Sequence, residues 1–364
     1  MISFALTEEQ ESVRTAMREF AEQAMRPVAR EYDEASATPD SFLQQAWELG
    51  LTATQLAEEY GGYGSPRSPL TNAIILEELA HGDASLTLAA TAASAFAYAV
   101  ADQGTGEQKQ QFLPALCGDR NNVATIAVAE PAPNFDIANM KTTAELKNGG
   151  FVLKGRKCFV PMGDRATHFL TIARNNGQLG AFLVPRDAVG LQISDPEKNL
   201  GLKPLATASL EFDGVVVPAR NLLGGEAGVD VKRILNQSRV AAAAILTGLS
   251  RAVLDYCVPY AKERVAFDEP IAKKQSIAFR LAEMHMEVEC MRWMTWKAAS
   301  QLEQGLDATK AAHLARQYAA EKAMWISDNG IQVLGGHGFI REHPVEMWYR
   351  NARTLGVLEG VGSV

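Results

Sequence analysis

The chain has 364 residues, of which 47% are hydrophobic and 21% charged, and its formal net charge at pH 7 is −8. This length exceeds what one ordinary hydrophobic core needs, so it predicts two or three packed units. The acidic balance excludes a general attraction to nucleic acid or to anionic membranes, so local Arg, Lys or main-chain N–H groups must hold any phosphate-bearing ligand.

The first third of the sequence has a helical pattern. Thr7 and Gln10 have the spacing of a capping box at a helix start, and apolar residues then recur at helical spacing as far as Pro27. Ala, Leu and Glu dominate again from about residue 70 to 116. We therefore predict an all-α domain over residues 1–120. The chain starts without a basic segment followed by an apolar run, so no secretory signal is expected.

The hydrophobic pattern changes at about Asn121, where short β-rich runs replace the helical spacing. Three dipeptides typical of hairpin turns follow, each between two such runs: Asn148-Gly149, Asn176-Gly177 and Asp213-Gly214. No long helical pattern lies between them. This arrangement predicts an antiparallel β-barrel or sandwich, which we place at residues 121–225.

Helical spacing returns from about Gly225, and we predict a four-helix bundle over residues 226–364. Its clearest seam alternates by four and three residues: Ile277, Leu281, Met284, Val288 and Met291. Further helices are predicted at about 308–329 and 344–358. The predicted fold class is α+β multidomain, with an N-terminal helical domain, a central antiparallel β-barrel or sandwich and a C-terminal bundle.

The cysteine and histidine spacings do not predict a metal site. The four cysteines lie far apart, without a CxxC pair or a Cys/His cluster: Cys117, Cys158, Cys257 and Cys290. We interpret them as reduced thiols in a cytoplasmic protein. His337 and His343 have no third ligand at metal-binding spacing, so a solvated or structural role is expected for both. No uninterrupted apolar stretch reaches about 18 residues, so no membrane span is predicted.

Five local motifs occur in one order along the chain. They are Ala129-Glu130-Pro131 with Phe135-Asp136; Lys157-Cys158-Phe159-Val160-Pro161; Arg264-Val265-Ala266-Phe267 with Pro270-Ile271 and Gln275; Gln332 to Phe339; and Tyr349 to Arg353 leading to Leu358-Glu359-Gly360. These motifs, together with the order of a helical domain, a β-domain and a helical bundle, resemble the acyl-CoA dehydrogenase family across essentially the whole chain. The resemblance implies FAD as the cofactor, α,β-desaturation of an acyl-CoA, and an electron-transfer flavoprotein as the oxidant.

The resemblance implies that Glu359 is the catalytic base. Removing a proton α to a thioester requires a base held against the α-carbon and donors aimed at the carbonyl oxygen. In the family the main-chain N–H of this Glu and a ribityl hydroxyl of FAD polarise that oxygen. Some members carry the base immediately before the Arg of the first bundle helix, but here that position is Ser238, which cannot serve. Without the motifs, Glu359 would be interpreted as an exposed carboxylate at a helix end, as most such residues are.

The other site residues follow from the same motif match. The implied cofactor-binding residues are Val128, Ala129, Phe159, Val160, Pro161, Arg264, Phe267, Gln275, Gln332, Gly335 and Gly336. The implied substrate-binding residues are Phe135, Ser238, Arg239, Leu358 and Gly360. The resemblance places Arg264 on the FAD pyrophosphate across a subunit interface, which predicts a dimer of dimers. Read without it, Arg264 is a surface residue at a helix end and Gly335-Gly336 a helix C-cap.

The chain departs from the family pattern at the expected flavin site. Ala129 replaces the usual Thr, Phe159 the usual Trp and Pro161 a hydroxyl residue, while Val361 and Ser363 stand where Thr and Gln are common. Each lost hydrogen bond costs about 0.5–1.5 kcal/mol. The sequence therefore leaves three possibilities open: a dehydrogenase with a modified flavin site, one subunit of a heterotetramer whose sister chain completes the site, or a CoA-ester-binding protein without the redox step.

Overall fold

The computed structural model describes residues 5–364, so the first four residues of the segment examined for a secretory signal lie outside the described range. The chain forms helices, then a sheet, then long helices. One large hydrophobic core runs through all three parts, since Leu88, Phe169, Ala243 and Ala323 belong to the same buried cluster. The three parts therefore pack against each other, and any cleft between them is lined by more than one part.

The first N-terminal helix begins at the residue that the sequence predicts. Thr7 caps α1 with a complete capping box, in which its side chain accepts from the Gln10 N–H and Gln10 bonds back to the Thr7 main chain. A π-helical turn at Ala21–Met25 follows and the chain leaves the helix near Pro27. The helices are α1 Glu8–Phe20, α2 Ala29–Ala35, α3 Asp40–Trp47, α4 Pro69–Gly82, α5 Ala84–Ala90, α6 Ala92–Gln103 and α7 Gly106–Phe112.

A seven-stranded sheet forms the middle of the chain. Two of the predicted hairpin turns are confirmed, because Asn148-Gly149 and Asn176-Gly177 each have positive φ at both residues and join consecutive antiparallel strands. The strands are β1 Ala124–Ala127, β2 Thr143–Lys147, β3 Gly150–Pro161, β4 His168–Asn175, β5 Gln178–Pro185, β6 Leu191–Ile193 and β7 Thr207–Pro218.

The third predicted hairpin is wrong. Asp213-Gly214 lies inside β7, which runs through it without a turn and pairs with β3 on both sides. Leu153 pairs with Val215 and Lys154 with Asp213, so Gly214 is an extra residue in the ladder, and its φ of 70° is that of a bulge glycine. The bulge bends β7 and does not reverse it.

The sequence pattern predicted an antiparallel sheet, but the sheet also contains parallel pairings. β1 runs parallel to β4 in the register Ala124 to His168, and one residue pair of β2 and β4 is parallel as well. The remaining pairings are antiparallel, and the strand order is β1-β4-β2-β3-β7-β6 with β5 beside β4. The parallel pairing carries the end of β1 past β4, so that Ala129 meets Cys158 of β3 through a 3.0 Å main-chain hydrogen bond.

The C-terminal helices are α8 Val231–Glu263, α9 Gln275–Glu303, α10 Thr309–Leu334 and α11 Val345–Leu355. A two-stranded ribbon, β8 Val265–Ala266 with β9 Glu269–Pro270, joins α8 to α9. In the predicted seam Met284, Val288 and Met291 are buried, whereas Ile277 and Leu281 are half-buried. α8 is long and apolar enough to cross a membrane, but 83% of its apolar window is buried inside the structure. Its neighbours therefore cover the apolar face.

Gly248 lets α8 approach α4 closely. A Cβ at this position would lie 2.1 Å from the Glu77 carbonyl oxygen and 3.0 Å from the Ala80 Cβ. We expect Gly248→Ala to lower the free energy of unfolding by about 1–3 kcal/mol, because the contact is with main chain that cannot rotate away. Gly106→Ala is the control, since nothing lies within 4 Å of its Cβ position. Equal urea midpoints for the two variants would contradict this account of the α4–α8 contact.

Candidate functional site at the sheet–bundle junction

The loop after α11 carries Glu359 to the end of the sheet. Gly360 has a φ of 74°, and a Cβ there would lie 2.3 Å from Val128 Cγ2, so only glycine fits both the conformation and the contact. Leu358 on the other side of Glu359 is buried. The loop is thus packed directly, through Gly360, against the residue that follows β1.

Two arginines surround the Glu359 carboxylate. Arg239 of α8 places its Nε 3.8 Å from Glu359 Oε2, and the Glu359 side chain retains 30% of its exposure. Arg316 of α10 is also close: burial lowers the pKa of its guanidinium, and the nearby Glu359 carboxylate opposes that shift. The Arg239 Nε is buried and has no hydrogen-bond partner among residues 5–364, so a donor beside the carboxylate is left for a ligand.

α11 is anchored to the N-terminal helices, which fixes where its C-terminal loop begins. Arg350 donates to both oxygens of the buried Asp33 carboxylate at 3.0 and 2.7 Å, and this pairing together with Glu346 raises the pKa of Arg350 despite its burial. Asn351 accepts from the Leu202 N–H at 2.7 Å. The Tyr349 to Arg353 motif therefore joins three parts of the chain around α11.

A buried ion pair supports the other side of the junction. The Lys157 Nζ is 0% exposed, donates to the Val128 carbonyl oxygen at 2.9 Å, and lies 3.2 Å from Glu130 Oε1. Glu130 also accepts from the N–H groups of Lys141 and Thr142 at 2.7 and 2.8 Å. Burial lowers the pKa of Lys157 to about 8, although Glu130 opposes the shift. The sequence identified Glu130 and Lys157 only as motif members, because nothing local shows that they meet.

Phe159 has a strained main chain that a distant carboxylate holds in place. Its φ is 54°, in a region where β3 shifts register between Lys157 and Val160. The Phe159 N–H donates to the Glu197 carboxylate at 3.1 and 3.3 Å, and its side chain is 37% exposed. Val160 and Pro161 are buried beside it. Sequence reasoning missed Glu197, which lies 38 residues away in a loop without a recognisable pattern.

The remaining predicted substrate residues divide between two places. Ser238 is buried on α8, one position before Arg239, whose Nε lies 3.8 Å from the Glu359 carboxylate. Phe135 lies in the loop after β1, half-buried against a second hydrophobic cluster of the sheet and the N-terminal helices. The structure thus groups Val128 and Arg239 around the Glu359 loop. Phe135 packs against the same hydrophobic cluster that contains Val128, and so lies on the β1 side of the junction.

Six of the predicted cofactor residues lie at the opposite end of the bundle. Arg264 ends α8, Gln275 begins α9, and Gln332 is in the last turn of α10. Each of them is exposed, as are Gly335 and Gly336. Phe267 lies in the β8–β9 turn, is 86% exposed and has a φ of 55°. A Cβ at either glycine would meet nothing within 4 Å, so a ligand can approach the main chain there.

The two groups of predicted site residues are far apart within one chain. Arg239 lies within α8 and Arg264 is its C-cap, and the two are separated by 25 positions. At 1.5 Å per residue this separation is about 37 Å along the helix. One chain therefore does not bring Glu359 and Arg264 to the same ligand.

Two stacked histidines occupy the same end of the bundle as Gly335 and Gly336. The rings of His337 and His343 lie 5.3 Å apart at an angle of 16°. Each Nδ1 is paired with a tyrosine hydroxyl of α8, His343 with Tyr256 at 2.7 Å and His337 with Tyr260 at 2.8 Å. These contacts fix the loop between α10 and α11. No group of three His, Cys, Asp or Glu side chains that could hold a metal ion occurs in the described part of the chain.

The histidine pair makes the stability of this end dependent on pH. Burial lowers the pKa of His343 and His337 lowers it further, while Glu342 opposes the shift. The unfolded chain therefore takes up the proton first. The stability that neutral His343 contributes is therefore fully present above the ordinary His pKa of about 6.5, and it is lost as the pH falls below that value.

We expect the urea midpoint to decrease as the pH is lowered from about 7.5 to about 5.5, a window that spans the ordinary His value. We expect a smaller decrease for His343→Phe, which keeps a ring in the stack but cannot titrate. His285→Phe changes an exposed histidine of α9 and is the control, expected to match the wild type. If the urea midpoint fell equally with pH in wild type and His343→Phe, the histidine pair would not contribute to the pH dependence of stability.

Models of three protein domains match this chain. They are described as the acyl-CoA dehydrogenase N-terminal domain, matching residues 7–119, the middle domain, matching 125–215, and the C-terminal domain, matching 228–364. Together they account for most of the chain, in the order in which the structure shows helices, sheet and bundle. The fold is thus that of the acyl-CoA dehydrogenases.

Individual proteins agree over the full length. The chain is 34% identical to the mitochondrial short-chain specific acyl-CoA dehydrogenase of Rattus norvegicus over 372 aligned positions, covering 100% of this chain and 89% of that protein. Among solved structures it is similar to butyryl-CoA dehydrogenase from Megasphaera elsdenii, with a TM-score of 0.90, 29% identity, and coverage of 100% and 96%. It is equally similar to a chain in a structure described as the electron transferring flavoprotein of Acidaminococcus fermentans, with a TM-score of 0.90 at 28% identity, and the same coverage. The chain belongs to the acyl-CoA dehydrogenase family, whose members are oxidoreductases acting on acyl-CoA.

Proposed function

We propose that this chain catalyses the FAD-dependent α,β-dehydrogenation of an acyl-CoA thioester with Glu359 as the base. One observation carries the proposal: the Glu359 loop packs against Val128, at the meeting point of the two sheet segments expected to line the flavin. The carboxylate is neither fully exposed nor sealed, so it can face a ligand that enters between sheet and bundle. Family membership supports the reaction class, and this contact supports Glu359 as the base.

The residues at the junction fit a flavin with a thioester beside it. Val128, Ala129 and Phe159 present one wall, and the Arg239 Nε, which has no hydrogen-bond partner among residues 5–364, lies on the bundle side. FAD, when bound, would accept the β-hydrogen of the substrate as hydride. Ala129 and Pro161 offer no side-chain donor, so the flavin contacts at this wall come from main-chain groups and from ring packing. We therefore expect this chain to bind the flavin more weakly than a chain with the usual family residues.

Glu359 has two tasks in this proposal. Its carboxylate removes the α-proton, and its main-chain N–H donates to the thioester carbonyl as enolate charge develops. The carboxylate and the main-chain N–H keep a fixed position relative to each other, because both belong to one residue. Gly360, fixed by Val128, sets the direction in which this residue faces. Leu358 beside it is buried, while the 30% exposure of the Glu359 side chain leaves the carboxylate open to a ligand.

The separation of about 37 Å along α8 supports a flavin shared between subunits. Arg264, Phe267, Gln275 and Gln332 are exposed at the far end of the bundle, so they would contact the phosphates and adenine of a partner's FAD. Arg suits this task because its planar fork matches phosphate oxygens. We propose a dimer of dimers, either a homotetramer or a heterotetramer with a sister subunit.

The electron acceptor and the compartment are further parts of the proposal. The similarity to a chain from an electron transferring flavoprotein structure supports an electron-transfer flavoprotein as the redox partner. All four cysteines are unpaired, as expected in a reducing compartment, and the cytoplasm is our proposal for the location.

Two other functions remain candidates for specific reasons. The missing hydroxyl and amide side chains at Ala129, Pro161, Val361 and Ser363 favour a subunit whose flavin site is completed by a sister chain. Loss of the redox step with retention of CoA-ester binding is the alternative from a different class. Glu359 and Arg264 speak against it, since a pure binder has no need of a base or of a residue for the partner's flavin phosphates.

Purification and anaerobic titration separate the three functions. The protein purified alone should be yellow, and its flavin absorbance should decrease when an acyl-CoA is added without oxygen. A colourless protein that becomes yellow only with a co-expressed sister subunit would identify the heterotetramer. A colourless protein that binds acyl-CoA in calorimetry would identify the binder and refute the dehydrogenase.

A further inference from the structure

Arg316 holds the loop that carries Glu359 from inside the bundle. This side chain of α10 is only 7% exposed. Its Nη2 donates to the carbonyl oxygens of Leu355 at 2.8 Å, Gly356 at 3.1 Å and Leu358 at 2.8 Å. The first two bonds cap the last turn of α11, as basic side chains commonly do. The third lies beyond the helix and acts on the peptide that joins Leu358 to Glu359.

The bond to Leu358 fixes the orientation of the Glu359 N–H. The Leu358–Glu359 peptide is trans, so its C=O and its N–H point in opposite directions from one plane. With the C=O directed at Arg316 in the bundle interior, the N–H is directed away from it. Within residues 5–364 this N–H donates to no protein acceptor, so it is free for a ligand.

The positive charge of Arg316 also acts on the same peptide. A guanidinium bonded to a carbonyl oxygen draws electrons through the amide, which makes the N–H on the opposite edge a stronger donor. The field is strong here because the side chain is buried. Arg239 does not supply this effect, because it contacts the Glu359 side chain and not the peptide.

We propose that Arg316 is a positioning residue that fixes the Leu358–Glu359 peptide so that its free N–H faces the thioester carbonyl. This inference rests on the proposed function, since it assigns a task in the same reaction. It differs from a helix-capping role in one measurable respect. A cap alone changes how firmly α11 is held, whereas a positioning residue changes how well the enolate forms in folded protein.

The test uses the purified flavoprotein with Arg316→Met, Arg316→Lys and a matched control. Arg233→Met is the control, since Arg233 donates to the Leu302 carbonyl oxygen at 3.1 Å and so caps α9 of the same bundle away from the Glu359 peptide. The probe is an acyl-CoA in which sulfur replaces the β-carbon. It can lose its α-proton but has no β-hydrogen to give. Its enolate is detected by the long-wavelength absorbance it produces with the flavin.

We expect Arg316→Met to retain flavin but to lose most of the enolate band. Its kcat with a normal acyl-CoA should fall about 10²-fold, as expected for a misplaced catalytic group, with little change in KM. Arg316→Lys should lie between Arg316→Met and wild type, because it keeps the charge and fewer of the bonds. Arg233→Met should give the wild-type band.

Full enolate formation by folded Arg316→Met, whatever its melting temperature, would reduce Arg316 to a helix cap and overturn the inference. If Arg316→Met does not fold, Arg316→Lys decides: a reduced band supports the inference and a wild-type band overturns it. A wild-type protein that forms no enolate band and does not bleach would instead refute the proposed function.

Discussion

Glu359→Gln is expected to yield a yellow protein that binds acyl-CoA and no longer bleaches. The amide has nearly the shape of the carboxylate and leaves the main-chain N–H in place, so binding should change little. It cannot accept the α-proton, and general-base catalysis is typically worth about 10²–10⁴ in rate. We therefore expect the rate of anaerobic flavin reduction to fall by this factor, as measured by stopped-flow absorbance.

Proton exchange tests the same step without the redox chemistry. Wild-type protein should exchange the α-protons of the sulfur-containing analogue with deuterated water, and Glu359→Gln should not, which NMR of the ligand can show. Glu263→Gln is the control, since it removes an exposed carboxylate at the end of α8. Full bleaching or full exchange by Glu359→Gln would place the base elsewhere in the cleft.

The sequence predicted those parts of the fold that depend on neighbouring residues. The capping box of Thr7 and the turns at Asn148 and Asn176 are decided within a few positions, and each is confirmed. The Asp213-Gly214 turn failed because a positive φ at glycine serves a hairpin turn and a bulge equally well. Pairing with β3, about 60 positions earlier in the chain, decides between them.

In the candidate site, too, the sequence predicted what local motifs decide and missed what tertiary contacts decide. Glu359 could be proposed from its motif, but its surroundings could not, because its partners come from α8, α10 and the end of β1. Glu197 and Arg316 carry no local pattern at all, since a carboxylate in a loop and an arginine in a helix are ordinary residues until their partners are known. Only the tertiary structure shows that one holds Phe159 and the other the Glu359 peptide.

Lys157→Met is expected to cause the largest loss of stability among the changes considered. Removing one partner of a buried ion pair typically costs about 3–5 kcal/mol, because the other charge stays buried without compensation. Here Glu130 would keep its two main-chain donors but lose the ammonium, and the Val128 carbonyl would lose its donor. Urea unfolding of the purified protein measures the loss.

The double variant Lys157→Met/Glu130→Gln separates the cost of an unpaired charge from the cost of the cavity and lost bonds. If the unpaired charge dominates, the double variant should be more stable than Lys157→Met, since it removes the buried carboxylate. Lys154→Met is the control, because Lys154 is an exposed residue of the same strand. A Lys157→Met protein as stable as that control would show that the pair contributes little to the fold. Because Lys157 also fixes Val128, which Gly360 contacts, the same variant should weaken flavin retention even under conditions where it stays folded.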